Sequence, residues 1–331
     1  MIITRTPLRI SFVGGGTDLR EYYKKETGTV LNTGINKYVY VILKKQIGIV
    51  EHKYRINWSQ VEFKNEIDKI AHPIVREVLR MFKIDFPIEI TTIADIPAGT
   101  GLGSSSSFCV GLLHAVTTMI GVKKTKYELA SLAAEIEVDI LGRSMGKQDH
   151  FPAAYGNLNI INFFGDERVE VEPVLCSKKR LNELQNNLML FYTYQTRDAS
   201  KVFESQIEET NNKFDVLTEM KNLAVPLSKC LSKDGNLDEF GKILHQNWIL
   251  KQSLTKQISN KEIEKYYQLG IDSGAIGGKL LGAGGGGFLL FYVRPENKES
   301  LKNALSKLYP LSIKFDTSGS RLTYYDRSDE N

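Results

Sequence analysis

Residues 97 to 107, Pro-Ala-Gly-Thr-Gly-Leu-Gly-Ser-Ser-Ser-Ser, join a β-rich stretch to an apolar helical one through three glycines and four hydroxyls. No other segment constrains the chain as strongly. Gly99, Gly101 and Gly103 let the backbone take φ > 0 and leave room for a bulky anion. The helix that follows offers unpaired N–H groups and the positive end of its dipole. Successive backbone amides can then converge on phosphate oxygens. The plain alternative is a surface turn with a serine cap. Phe108, Val110, Leu112, Leu113, Val116, Met119 and Ile120 spread apolar side chains around nearly the whole of 106–120, which marks a buried central helix. Its N-terminus is therefore expected inside the protein, beside whatever the glycine loop holds.

The first half of the chain alternates β-like and helical stretches. Ile10 to Val13 runs into three glycines, and Tyr38 to Leu43 and Ile88 to Ile93 are β-branched and aromatic runs. Leu129, Leu132, Ala133, Ile136 and Ile140 follow the spacing of a second, amphipathic helix. Residues 157–164 and 168–174 read as a hairpin around Gly165-Asp166. After about residue 185 the texture changes. A strand at 188–193, a polar helical region at 198–270, two strands flanking Gly282 to Gly287, a helix at 296–308 and a strand at 311–315 give the order β-α-β-β-α-β, the ferredoxin-like pattern. The expected class is α+β with two lobes, 1–183 and 184–331, divided in the polar stretch near Ser177 to Asn187.

At 331 residues the chain is long enough for two lobes with a cleft between them. Lys and Arg number 43 against 39 Asp and Glu, a net charge of +4, without the basic excess of a nucleic-acid binder. Cys109, Cys176 and Cys230 are far apart and in no metal-ligand spacing, so reduced thiols are expected. The chain opens on strand-like Ile2-Ile3, and no apolar run is long enough to span a bilayer. A cytoplasmic monomer or homodimer acting on a small molecule, with neither nucleic acid nor membrane as partner, is the expectation.

Two segments imitate a dinucleotide fingerprint. Gly282 to Gly287 satisfies G-x-G-x-x-G but runs into the strand Phe288 to Val293, whereas a dinucleotide loop opens a helix. Gly99 to Ser104 does open a helix, but it lacks the last glycine or alanine, and lysines rather than an acidic ribose ligand lie near residue 120. The Walker pattern is also absent, since Gly142 to Lys147 has one residue too few between its glycines and no hydroxyl after the lysine.

The loop at 97–107 resembles the second motif of the GHMP kinases, usually P-x-x-x-G-L-G-S-S-A. Thr6 to Asp18 is similar to their first motif and Lys279 to Phe288 to their third, in the same order and at about the same spacing. The resemblance implies a GHMP kinase fold: an N-terminal lobe like domain two of a ribosomal protein and a ferredoxin-like C-terminal lobe. It also implies ATP and Mg2+. Where galactokinases have G-E-H-T-D this chain has Gly14-Gly15-Gly16-Thr17-Asp18, so the Glu and His that would grip a sugar are missing. That version, with Gly146-Lys147-Gln148-Asp149 and the stretch 193–200, resembles the bacterial D-glycero-D-manno-heptose 7-phosphate kinases. The fucokinase lobe is a near neighbour. Such kinases phosphorylate an anomeric hydroxyl; a non-catalytic nucleotide binder is the alternative of another class.

Carried over residue by residue, the resemblance implies Asp149 as the group that orients the sugar hydroxyl and takes its proton, and Arg9 as the cation beside the transferred phosphoryl. Capping of the turn at 151–155 and an ordinary strand-end arginine are their plainer readings. Pro97, Gly99, Gly101, Leu102, Gly103, Ser104, Ser105 and Ser106 would hold the nucleotide. Ser105 and Glu137 are the expected magnesium ligands, because one hydroxyl, one carboxylate, phosphates and water suffice. On an ideal helix Glu137 projects about 80° from the apolar centre, and Asp139 on the opposite edge is its competitor. Gly15, Gly16, Thr17, Asp18, Gly284, Gly285 and Gly286 would line the sugar site, with Asp18 also fitting a simple Asx-turn. Arg197 or Lys201 is the expected anchor for a distal sugar phosphate.

Overall fold

The β-branched and aromatic runs of the first half pair into one twisted sheet, seen in a computed structural model that describes residues 1–196 and 199–326. Its strands are β1 (Ile2–Val13), β2 (Gly28–Lys45), β3 (Tyr54–Asn57), β4 (Val61–Lys64), β5 (Ile88–Ala94), β6 (Leu158–Phe163) and β7 (Val169–Pro173). The long β2 serves two partners, β6 along its first half and β5 along its second. The β1–β2 register slips between Pro7, opposite Tyr38, and Leu8, opposite Ile35. Such an irregularity bends a strand and re-aims its side chains, and here Arg9 follows directly.

The helix Ser104–Met119 packs on β1 and β2, as its apolar circumference predicts. Its approach is close: a Cβ on Gly111 would stand 2.8 Å from Thr6 Oγ1, and Thr4 Oγ1 donates to Gly111 O at 2.9 Å. The next helix, Lys126–Ala134, begins with a reciprocal Thr125–Glu128 cap. It does not continue to residue 140 as a regular α-helix. Residues Glu135–Ile140 form a π-helical turn, and the extra residue per turn changes which side chains face inward. Glu137, which an ideal helix would place at the edge of the apolar face, is 0 % exposed.

In the second half, β8 (Leu188–Tyr192), β9 (Ala275–Leu280), β10 (Phe288–Val293) and β11 (Tyr309–Leu311) form an antiparallel sheet in the order β11-β8-β10-β9. This is the ferredoxin-like order, with the helix Leu237–Gln252 packed on β9 and β10. The last strand of that sheet is shorter and earlier than the expected 311–315. Lys314 and Asp316 turn instead to backbone bonds with Asn36 and Gly34 of β2. The chain then returns to the first sheet, where β12 (Arg321–Tyr325) pairs with β1. The expected division at 183/184 falls inside the helix Lys178–Asn186.

The lobes share an apolar core, in which Leu8, Ile10 and Phe12 of β1 join Leu190, Phe240, Leu281 and Phe288, and a second cluster around Phe191, Trp248, Tyr267 and Phe291 lies within the second lobe. Phe12 and Phe240 meet edge to face with ring centroids 5.2 Å apart. The three cysteines are free thiols. No helix among the described residues is long and apolar enough to cross a membrane.

Candidate active site

Two glycine loops meet back to back at the mouth of the cleft between the lobes. Gly99, Gly101 and Gly103 take φ of +79°, +82° and +75°, conformations that L side chains rarely adopt. Space adds a second demand at Gly101, where a Cβ would stand 2.7 Å from Leu281 O. On Gly282 it would stand 2.5 Å from Gly101 Cα. Where Gly101 meets Gly282 the two loops therefore fit only as bare backbone. Gly103 precedes the helix Ser104–Met119 without a side-chain cap, so its first N–H groups remain available. Ser106 Oγ is buried with no hydrogen-bond partner among the described residues, and Ser107 Oγ instead ties the helix to Pro7 O at 2.8 Å. Leu102 is buried and its carbonyl accepts from Arg9 N at 3.0 Å, whereas Pro97 and Gly99 are exposed at the rim.

Arg9 joins these loops to Asp149. Its Nε and Nη2 donate to Asp149 Oδ1 and Oδ2 at 2.7 and 2.6 Å, and its Nη1 donates to Gly101 O at 2.6 Å. The two-point pairing of guanidinium and carboxylate fixes both in one plane. Both side chains are largely buried, at 5 % and 14 % exposure. Asp149 stands at the start of the short helix His150–Tyr155 without capping it.

Ser105 and Glu137 come together: Ser105 Oγ donates to Glu137 Oε1 at 2.5 Å. Arg143 Nη1 bonds to both the hydroxyl and the carboxylate, while His150 Nε2 lies 3.0 Å from Glu137 Oε2. Burial pushes the Glu137 carboxyl up, but His150, Ser105 and Arg143 outweigh it and hold the group below the ordinary glutamate value. Asp139 faces elsewhere, paired with Arg20 at 2.8 Å. Hard oxygen donors converge at Ser105 and Glu137, and a cationic group already rests on them.

The other wall of the cleft carries the first motif. Asp18 is buried and accepts from Gly16 N, Gln148 N and Gln148 Nε2 at 3.0, 3.1 and 2.7 Å. Burial raises its pKa, opposed by the Gln148 backbone bond. Gly15, Gly16, Asp18, Gln148 and Asp149 line a recess of about 30 Å³, room for roughly one water. The Thr17 hydroxyl belongs to the fold, bonded to Gly14 O and Thr29 N. Gly284 and Gly286 line the main cleft with the second motif, and Gly285 N is spent on Ile258 O at 2.8 Å. Lys201 is exposed and Arg197 lies outside the described residues.

The main cleft, about 940 Å³, extends from Asp149 to an aromatic end that sequence reading missed. There His72 lies between Trp58 and Phe108, ring centroids 4.7 and 4.9 Å away. Burial, with Arg143 nearby, pushes His72 down to about 4, so its imidazole is neutral at pH 7. Phe108 reads as an ordinary core residue, and no local pattern brings Trp58 to it. Lys251 was also missed. It lines the recess beside Arg9 and Asp18, and its signal was a lysine on the buried stripe of Leu244 and Trp248.

Residues 69–157 match the family model "GHMP kinases N terminal domain" and residues 227–311 match "GHMP kinases C terminal". The chain belongs to the GHMP kinases. The first match holds the 97–107 loop and Asp149, and the second holds the 282–287 loop. Among GHMP kinases, the chain is 32 % identical over 317 residues to the D-glycero-alpha-D-manno-heptose 7-phosphate kinase of Campylobacter jejuni, covering 92 % of this chain and 93 % of the other. It is 25 % identical to the bifunctional fucokinase/GDP-fucose pyrophosphorylase of Arabidopsis thaliana, over 93 % of this chain but 31 % of that longer protein. A solved D-glycero-D-manno-heptose 1-phosphate kinase from Bacteroides thetaiotaomicron superposes with a TM-score of 0.80 at 26 % identity, covering 98 % of this chain and all of the other. The expected GHMP kinase fold is thus the fold of this chain.

Proposed function

We propose that this GHMP kinase is an ATP-dependent sugar kinase that transfers the γ-phosphoryl group of ATP to the anomeric hydroxyl of D-glycero-D-manno-heptose 7-phosphate. The product would be the 1,7-bisphosphate, used in making GDP-heptose for surface polysaccharide in the cytoplasm. The observation that carries the reading is the Arg9–Asp149 pair, held against Gly101 at the junction of the two glycine loops. The names of the relatives support heptose as the sugar class, and they differ in which end of the sugar bears the phosphate.

In this reading the triphosphate rests on the amides of 99–106, where helix dipole and backbone N–H groups favour negative charge. The neutral, aromatic end at Trp58, His72 and Phe108 suits a flat base. Asp149 accepts the proton of the sugar hydroxyl as the new O–P bond forms and the bond to ADP breaks. Arg9 orients that carboxylate and supplies positive charge beside the transferred group. Ser105 and Glu137 would hold Mg2+, which neutralises phosphate charge. His150 keeps the second oxygen of Glu137 occupied, so the carboxylate presents a defined face.

ADP release measured with ATP, Mg2+ and a panel of free and phosphorylated sugars tests the reading. Turnover is expected with heptose 7-phosphate; preference for fucose would favour a fucokinase, and nucleotide binding without turnover on any sugar would leave a binder.

A further inference from the structure

We propose that Lys251 is a ligand for a phosphoryl oxygen in the reacting complex, a role that rests on the kinase reading above. Lys251 lies in the last turn of the helix Leu237–Gln252 and is 6 % exposed. Its ammonium has three N–H donors, and among the described residues only Gly282 O accepts from it. Gly282 is the residue that meets Gly101, whose own carbonyl accepts from Arg9. Lys251 and Arg9 therefore hold the two sides of the same loop junction and line the same recess with Asp149.

Among the described residues no carboxylate is hydrogen-bonded to this ammonium, although Asp18 and Asp149 lie near it. Arg9 from β1 is paired with Asp149. Lys279 Nζ from β9 donates to Ser11 O and Phe12 O, at 2.9 and 2.8 Å, and burial pushes its pKa well below the ordinary lysine value. Asp18, from the turn after β1, gives its oxygens to Gly16 and Gln148. A buried cation with free donors beside a reacting carboxylate is satisfied by an anion. Burial and the neighbouring Arg9 lower Lys251 to about 8, so its charge is sensitive to pH in the working range. The phosphoryl oxygen has two sources: the group in transfer, or the phosphate already on the acceptor.

Steady-state turnover of the wild type, Lys251→Arg and Lys251→Met from pH 6 to 10, with heptose 7-phosphate and free heptose, tests this. Lys251→Met is expected to lower kcat/KM about 100-fold or more, the scale of losing one transition-state donor. Lys251→Arg should recover part of the loss and remove the fall in wild-type rate as pH rises through about 8. An equal loss in kcat on both sugars assigns the contact to the transferred group; a loss confined to KM for the phosphorylated sugar assigns it to the acceptor phosphate. A change below about threefold in every arm, or equal losses in both variants with an unshifted pH profile, would show a mere strut for Gly282 and overturn the proposal. If the wild type turns over no sugar, the kinase reading fails by itself. Calorimetric titration with ATP and heptose 7-phosphate then decides on Lys251: at least tenfold weaker binding of either by Lys251→Met supports it, and equal binding of both overturns it.

Discussion

Arg9 and Asp149 share two hydrogen bonds in a largely buried setting, so neither can be altered without consequence for the other. Asp149→Asn keeps the shape of the side chain and part of the bonding, and removes the proposed proton acceptor. Turnover should fall about 100-fold or more while ATP affinity stays within about threefold. Near wild-type turnover in a normally folded variant would remove Asp149 from the mechanism. At Glu137 the Gln substitution should raise the Mg2+ concentration needed for half-maximal activity, whereas Asp139→Asn, at a side chain paired with Arg20, should not. Because Glu137 is held below its ordinary value in the folded state, its contribution to stability is present above the usual carboxylate range. It is lost as pH falls through the depressed value. Acid titration of folding should therefore be less steep for Glu137→Gln than for the wild type.

Whole elements are set by backbone as much as by side chains. Gly99 and Gly101 both have positive φ, but a Cβ on Gly99 meets nothing within 4 Å while one on Gly101 runs into Leu281 O. Gly99→Ala should cost about 1–2 kcal/mol of strain, the usual penalty of a left-handed residue, and leave nucleotide affinity nearly unchanged. Gly101→Ala must push the loops apart, and its ATP affinity, measured by titration calorimetry, should fall at least tenfold more than that of Gly99→Ala. The Thr125–Glu128 cap starts the helix that leads into the Glu137 turn. Thr125→Ala should lower stability to urea by about 1 kcal/mol, the ordinary cost of a lost cap.

At the scale of the molecule, the chain is stitched rather than segmented. β12 returns to β1, and Phe12 packs on Phe240 within a core common to both lobes. Calorimetry should show a single unfolding transition, since parting the lobes exposes the large apolar surface they share. Phe240→Ala should lower the midpoint of that transition, with a cost of about 3–5 kcal/mol for a buried ring. Two resolved transitions in the wild type would contradict the shared core.

Local pattern was enough for what depends on neighbours in the chain. The apolar circumference of 106–120 placed the central helix inside, and the three glycine motifs named the family. The order of strands after residue 185 matched the ferredoxin-like sheet. Local pattern failed where distant segments meet. The return of β12 to β1 and the meeting of the Trp58, His72 and Phe108 rings arise from packing between segments that are not neighbours in the chain, and the π-turn buries Glu137 where regular helical spacing put it at an edge. Lys251 is the clearest case: alone it is one lysine among many, and its meaning comes from the carbonyl of Gly282 and the recess around it. Periodicity and φ preference are properties of a short stretch of backbone, so sequence carries them directly. Which charges are left unpaired in a cavity is decided only when the tertiary structure removes water from them.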